Sequence, residues 1–235
     1  MLFRSVDYKN YKFGYSINAI LGTNDSIEKC FSKGFLPYTG DIKNREEIYY
    51  LARSIRVNLK KYKRLSENKR IIKNAKKKFN IKFSSQNKIE FTHGSDFLNY
   101  CLNFSKERFT NNSLSKQRLE LILKRKNYNT IYTFSDDSKD IGYVIAYENE
   151  NILHYWFSFY DTSFLKEFSL GKFMMEQLVY HAKKENKKYI YLGTCYGNKA
   201  LYKVRDFKGI EFYDGNNWVD DIKLLKKMCK TDKID

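Results

Sequence analysis

The stretch SLGKFMMEQL, Ser169 to Leu178, sets a serine, a single glycine and a lysine directly ahead of an apolar run. A turn of this kind opens a helix, and the free N–H groups and dipole of a helix N-terminus make a ready anion site. Three uses fit these residues. The turn can cradle the pyrophosphate of an acyl carrier such as acetyl-CoA, serve another acyl donor, or simply pack. A second feature with chemical potential is cationic. Between Lys60 and Lys82 stand eleven Lys or Arg residues against one acid, Glu67. The whole chain of 235 residues carries 44 Lys and Arg against 27 Asp and Glu, a net charge of +17. An excess this large and this clustered favours a polyanion, most simply a nucleic acid, over a plain solvated face.

Other chemistries are disfavoured. The four cysteines (Cys30, Cys101, Cys195, Cys229) include no C-x-x-C pair, and the three histidines form no cluster, so no metal is expected and the thiols read as buried or idle. No run of about 18 apolar residues suggests a membrane span, and charges interrupt the first sixteen residues, so no membrane and a cytoplasmic location are the expectation.

The elements that would position these residues follow from periodicity. RSIRVNL (Arg53 to Leu59) alternates as a short strand and runs into the basic stretch, read as a helix with a cationic outer face. SDFLNYCLNFSKERF (Ser95 to Phe109) and SLSKQRLELILKRK (Ser113 to Lys126) read as helices, the second capped by Ser115. From Asn129 the pattern turns to strands: TIYTFSD, then IGYVIAYENENILHYWFSFYD with a hairpin at Glu148–Asn151. The helix after Ser169 runs to about Lys184, KKYIYLG is a buried strand, NKALYKVRDF a helix and GIEFYDG a last strand. Two regions are expected: 1–90 with the basic segment, and 91–235 with a helical insert and the core.

Strand–strand–helix–strand–helix–strand resembles the core of the GNAT acyltransferases. The expected fold class is therefore α/β (α+β), a central mixed, mostly antiparallel sheet flanked by helices. GNKALYKVRDFKGIEFY resembles the N-x-x-A-x-x-L-Y signature of that family, in which the tyrosine, here Tyr202, protonates the leaving group. On position alone Tyr202 is equally a packed ring. The Ser169 turn matches the Q/R-x-x-G-x-G/A loop of acetyl-CoA users only in part.

A second resemblance covers more of the chain. YWFSFYDTSFLKEFSLGKFM, KKYIYLG and ALYKVRDF are similar to the C-terminal domain of the aminoacyl-tRNA–protein transferases, the arginyl- and leucyl-transferases of the N-degron pathway. KGFLPYTG and RSIRVNLKKYKRLSENKRIIK resemble their N-terminal motifs. The N-terminal cysteine pairs of that family are missing, Leu36–Pro37 replaces its paired arginines, and Thr194–Cys195 stands where aromatic residues usually follow L-G.

The resemblance implies transfer of Arg or Leu from aminoacyl-tRNA, the co-substrate, to the N-terminal amine of a protein. No cofactor is needed, because an ester becomes an amide. Tyr202, Asp161 and Tyr160 are the implied catalytic residues. Asp161 is read either as steering the amine or as capping its turn. Oxyanion donors are expected in the backbone of Phe159–Asp161 and in Ser169, Leu170 and Gly171. Arg56, Lys69, Arg70 and Lys73 would meet tRNA phosphates, and Lys203 and Arg205 would serve substrate binding. A monomer is expected. The alternatives are a GNAT enzyme using acyl-CoA, a non-catalytic RNA-binding relative, or an aminoacyl-tRNA enzyme with a small-molecule acceptor.

Overall fold

Apolar alternation in the chain becomes strand, and 3.6-residue periodicity becomes helix, across a computed structural model that describes residues 17–22, 26–40, 46–109 and 114–232. The opening elements are β1 (Asn18–Ile20), α1 (Ile27–Ser32), β2 (Phe35–Pro37) and β3 (Ile48–Leu51). β3 pairs antiparallel with both β1 and β2 in a small sheet. Next come β4 (Ser54–Asn58), α2 (Ser66–Lys78), β5 (Ile81–Asn87), α3 (Ser95–Arg108) and α4 (Lys116–Lys124). The chain continues with β6 (Thr130–Asp136), β7 (Lys139–Glu148), β8 (Ile152–Tyr160), α5 (Leu170–Lys184) and β9 (Tyr189–Thr194). It closes with α6 (Tyr202–Asp206), β10 (Ile210–Tyr213), β11 (Trp218–Val219) and α7 (Ile222–Thr231).

The large sheet has the order β11-β10-β4-β9-β8-β7-β6-β5. Every neighbouring pair is antiparallel except β8 and β9. This is the mixed, mostly antiparallel sheet flanked by helices that the sequence predicts. The parallel pairing holds only for Ile152↔Tyr189, Leu153↔Ile190 and His154↔Tyr191, although β8 continues to Tyr160 and β9 to Thr194. Beyond His154 the two strands part, and their inner backbone groups need other partners.

Residues on both sides of position 90 contribute strands to the large sheet. β4 lies between β9 and β10, and its Ile55, Arg56 and Val57 are all buried, so residues before 90 supply a central strand. β5 pairs along β6 at the far edge, so Lys82 belongs to a strand and not to the basic helix. Ser113, the first residue expected in the second central helix, lies outside the described residues. Ser115 caps α4 as expected, its hydroxyl accepting the Arg118 N–H.

α5 carries the core. Its Leu170, Phe173, Met174, Met175, Leu178, Val179 and Ala182 are buried, a stripe wide enough to lie flat on a sheet. α2 buries Asn68, Ile71, Ile72 and Ala75 at helical spacing and turns its lysines outward. One buried carboxylate joins the two helices. Glu176 accepts hydrogen bonds from Tyr62 Oη (2.6 Å), Arg64 Nε (2.6 Å) and Asn68 Nδ2 (2.8 Å). Removing it leaves the buried Tyr62 hydroxyl without its acceptor, Asn68 with only the Asp206 carbonyl, and Arg64 without its ion pair. Glu176→Ala is therefore expected to cost about 3 kcal/mol, toward the lower end for a broken buried pair because Arg64 keeps some contact with water. Thermal unfolding checks this as a fall of roughly 6–12 °C in Tm. A fall under about 2 °C would mean that the cluster does not hold α2 to α5.

Candidate active site

The C-terminal half of β8, beyond the point where β9 departs, forms one wall of a cavity of about 720 Å³. Trp156, Phe157, Phe159 and Tyr160 line it from β8, and Phe104 and Arg108 from α3. The start of α5 contributes Ser169, Gly171 and Lys172, and Lys199 and Tyr202 close the remaining side. Aromatic faces and cations thus share one space, a combination suited to a ring bearing an anionic tail.

Gly171 owes its identity to this wall. A Cβ at that position would fall 2.7 Å from the Tyr160 ring. The glycine lets an aromatic ring lie against the start of the helix. The N–H of Leu170 is bonded to the Phe168 carbonyl and that of Phe173 to the Ser169 carbonyl. The N–H groups of Gly171 and Lys172 belong to the first helical turn, where no intrahelical acceptor exists.

Tyr202 and Tyr160, both among the implied catalytic residues, line this cavity. Burial, then the neighbouring Tyr160 and Asp206, push the Tyr202 hydroxyl up to about 12. It is a neutral proton donor throughout the physiological range. Asp161 behaves differently. It caps the turn at Thr162–Lys166, accepting from Ser163 N (3.0 Å), Ser163 Oγ (2.6 Å) and Lys139 Nζ (3.0 Å). Burial opposes its ionisation, but the bonds from Ser163 and Lys139 outweigh that and hold the carboxyl below its usual range. Of its two readings the geometry gives the cap. Its N–H, expected among the oxyanion donors, is bonded to the Ile141 carbonyl.

Of the turn residues, Ser169 and Gly171 line the cavity, whereas the Leu170 side chain is fully buried in the core. Lys203 sits behind the splayed strands. Its Nζ donates to the carbonyls of Leu192 (2.8 Å) and Thr194 (3.1 Å) on the part of β9 beyond its pairing with β8. Gly193 between them adopts φ of +82°. Burial lowers the ammonium to about 8. Lys203 lines a second cavity of about 400 Å³, together with His154, Leu192 and Thr194; Trp156, Phe157 and Arg118 border both cavities. Burial, then the Lys203 charge, hold His154 down to about 3, so its imidazole is neutral. Arg205 is exposed and pairs with Asp206 (2.7 Å).

The expected phosphate contacts divide. Lys69 and Lys73 are exposed on α2 and line a shallow groove with Arg64, Lys76 and Lys77. Arg70 is exposed but bonded through two nitrogens to Glu67. Arg56 points elsewhere. It is buried in β4, paired with Glu211 at 2.9 Å, and sandwiched by Tyr189 (3.7 Å) and Trp218 (4.0 Å). A strand whose two faces are both covered leaves no path from its arginine to a phosphate. The cavity cations Arg108, Lys172 and Lys199 were missed in the sequence. Arg108 had a detectable signal, since it lies four residues after Phe104 on one helix face.

A family model described as an acetyltransferase (GNAT) domain matches residues 115–208. Residues 115–208 are thus GNAT-like. The match takes in α4, the β6–β8 meander, α5, β9 and α6, and therefore most of both cavities. No curated protein matches the chain. Among solved structures, the chain is similar to L-PGS from Bacillus licheniformis (13% identity, TM-score 0.44, covering 76% of this chain and 64% of that one). It is likewise similar to a C-terminal domain described as that of a lysylphosphatidylglycerol synthetase from Agrobacterium fabrum (11%, TM-score 0.44, 72% and 51%). A third is FemX (9%, TM-score 0.49, 92% and 75%). The chain spans about half to two-thirds of the length of the first two. Among the described residues no group of three or more His, Cys, Asp or Glu side chains is placed to hold a metal ion. No helix among them is long and apolar enough to cross a membrane.

Proposed function

We propose that this GNAT-like acyltransferase moves an amino acid, Arg or Leu, from aminoacyl-tRNA to the N-terminal amine of an acceptor protein. The observation that carries this reading is the Tyr160 ring against Gly171. At the helix start where a CoA pyrophosphate would need a glycine-lined approach, the single glycine is taken up by an aromatic wall. An aromatic cavity with cations in its lining, of which Lys172 is paired with Asp206, suits a terminal adenosine and its phosphate. The exposed lysines of α2 suit the phosphates of an acceptor stem. The two surfaces are linked, because α2 is bonded through Glu176 to the same helix that opens the cavity. The resemblance in FYD, SLG, YIYLG and LYK supports the same reading.

The chemistry asks little of the protein beyond placement. The acceptor amine attacks the ester carbonyl carbon, the C–N bond forms, and the ester C–O bond breaks to release the ribose hydroxyl. Free α-amines titrate near 7.7–8.0, so a fraction is nucleophilic at neutral pH. Holding both substrates in line supplies on the order of 7–11 kcal/mol. The N–H groups of Gly171 and Lys172 face the tetrahedral oxyanion. Tyr202 delivers its proton to the departing ribose oxygen, a stronger base than its own phenolate, and the phenolate takes up the proton that the attacking nitrogen sheds. The proposal includes no cofactor, a cytoplasmic location and a monomer.

A second reading, transfer from an acyl-CoA, is favoured by the GNAT family match over residues 115–208. One assay separates the two. The protein is incubated with labelled Arg-tRNA, Leu-tRNA or acetyl-CoA and with peptides beginning in Asp, Glu, Arg or Lys. Label appearing in peptide from a charged tRNA is the expected outcome. Label arriving from acetyl-CoA alone would sink the aminoacyl reading.

A further inference from the structure

Cys195, the residue after β9, and Cys229, in the last turn of α7, are both buried, with their sulfurs 3.7 Å apart. Their separation of 34 positions hides this pairing in the sequence. The surroundings fix the pair. Arg53 Nη1 lies 3.8 Å from Cys229 Sγ and donates to the Cys195 carbonyl at 3.3 Å. The same guanidinium grips both carboxylate oxygens of Asp232 at 2.8 Å, and Asp232 also accepts the Gly197 N–H at 2.7 Å. These contacts clamp the end of α7 over the loop that leaves β9.

Bringing the sulfurs to a bonding distance of about 2.05 Å moves each by roughly 0.8 Å. The two thiols are also unequal. The hydrogen bond with Cys195, and then the Arg53 charge, hold Cys229 below the ordinary thiol range, while the same bond and burial push Cys195 up. Cys229 is thus the nucleophile of the pair.

We propose that Cys195 and Cys229 form a reversible disulfide, made by a small-molecule disulfide of the glutathione class, that locks α7 to the end of β9. The Cys229 thiolate attacks one sulfur of the oxidant, which gives a mixed disulfide and releases one thiol. Cys195 then loses its proton and attacks Cys229 Sγ, expelling the second thiol. Protein dithiol plus one oxidant disulfide becomes protein disulfide plus two small thiols. α7 is the element that must lift to admit the oxidant, since it covers Cys229 and most of its other residues face water. The bond fixes the loop between Thr194, whose carbonyl holds Lys203, and Lys199, which lines the larger cavity. The inference stands apart from the identity of the acyl donor.

The test uses the full chain, folded, with glutathione disulfide. The expected result is loss of two of the four thiols and one cross-linked peptide pair, Cys195–Cys229, in mass spectrometry without reductant. Tm should rise by about 5 °C or more and fall back with dithiothreitol. Cys229→Ser and Cys195→Ala should each abolish the rise, and Cys101→Ser should leave it intact. If Cys229→Ser fails to fold, the peptide map and thiol count of the wild-type chain decide alone. A glutathione adduct that stays on Cys229 overturns the proposal. So do four thiols still titratable, a bridge to Cys30 or Cys101, or a bridge formed only in urea.

Discussion

Under the proposed function, charge reversal at Lys69, Lys73 and Lys76 is expected to weaken binding of aminoacyl-tRNA by about 10²–10³-fold at 0.1 M salt. Counterion release sets the size of the loss. Each phosphate neutralised contributes about 0.7–0.9 to the slope of log affinity against log salt, so losing three lowers the slope by roughly 2–3 and removes a similar number of decades at 0.1 M. All three side chains are exposed, so the loss should not be confused with unfolding. Far-ultraviolet dichroism and Tm of the triple glutamate variant should match the wild type. The control reverses Lys223, Lys226 and Lys227 on α7, which changes net charge equally but lies away from the α2 groove. Fluorescence anisotropy with labelled tRNA across 50–300 mM salt gives both affinity and slope. Equal losses in the two triple variants would reduce the α2 surface to general attraction.

The sequence was most legible where period and composition agree. The β6–β8 meander, the hairpin turn at 149–151 and α5 were read within a few residues, because each has a long, strongly patterned run. Arg56 was misread for a physical reason. Its neighbours Ile55 and Val57 announce a strand, but nothing local says that the strand is central, and only its partners β9 and β10 bury it. Asp161 had two local readings, and the Ser163 and Lys139 contacts that separate them depend on how the turn folds back on β7. The larger cavity was half visible. Tyr202, Tyr160 and Gly171 stand in recognisable runs, whereas Arg108, Lys172 and Lys199 join them only through the packing of α3 and the parting of β8 from β9. The Cys195–Cys229 contact had no sequence signal at all, since 34 positions separate two thiols without any ligand spacing.

Tyr202→Phe tests the chemical step itself. The ring is partly buried against the core, so the substitution keeps its packing and removes only the hydroxyl. If that hydroxyl protonates the leaving ribose oxygen, kcat should fall about 10²–10³-fold, within the range for a single general acid, and KM for aminoacyl-tRNA should change little. Tyr160→Phe, on the facing wall, should cost under about 10-fold, because its ring packs on Gly171 and its hydroxyl is not assigned a proton. The pH profile gives a separate check. Burial pushes Tyr202 up to about 12, so its proton is present below that pH and lost only above it. Activity should therefore rise as the acceptor amine deprotonates, near 7.7–8.0, with no alkaline fall from Tyr202 through that range. A donor that needs no protonation isolates the role. With a p-nitrophenyl ester of the same amino acid, the leaving phenolate departs unaided, and the Phe variant should recover to within a few-fold of wild type. An equal defect with both donors would mean that Tyr202 positions the substrate and transfers no proton.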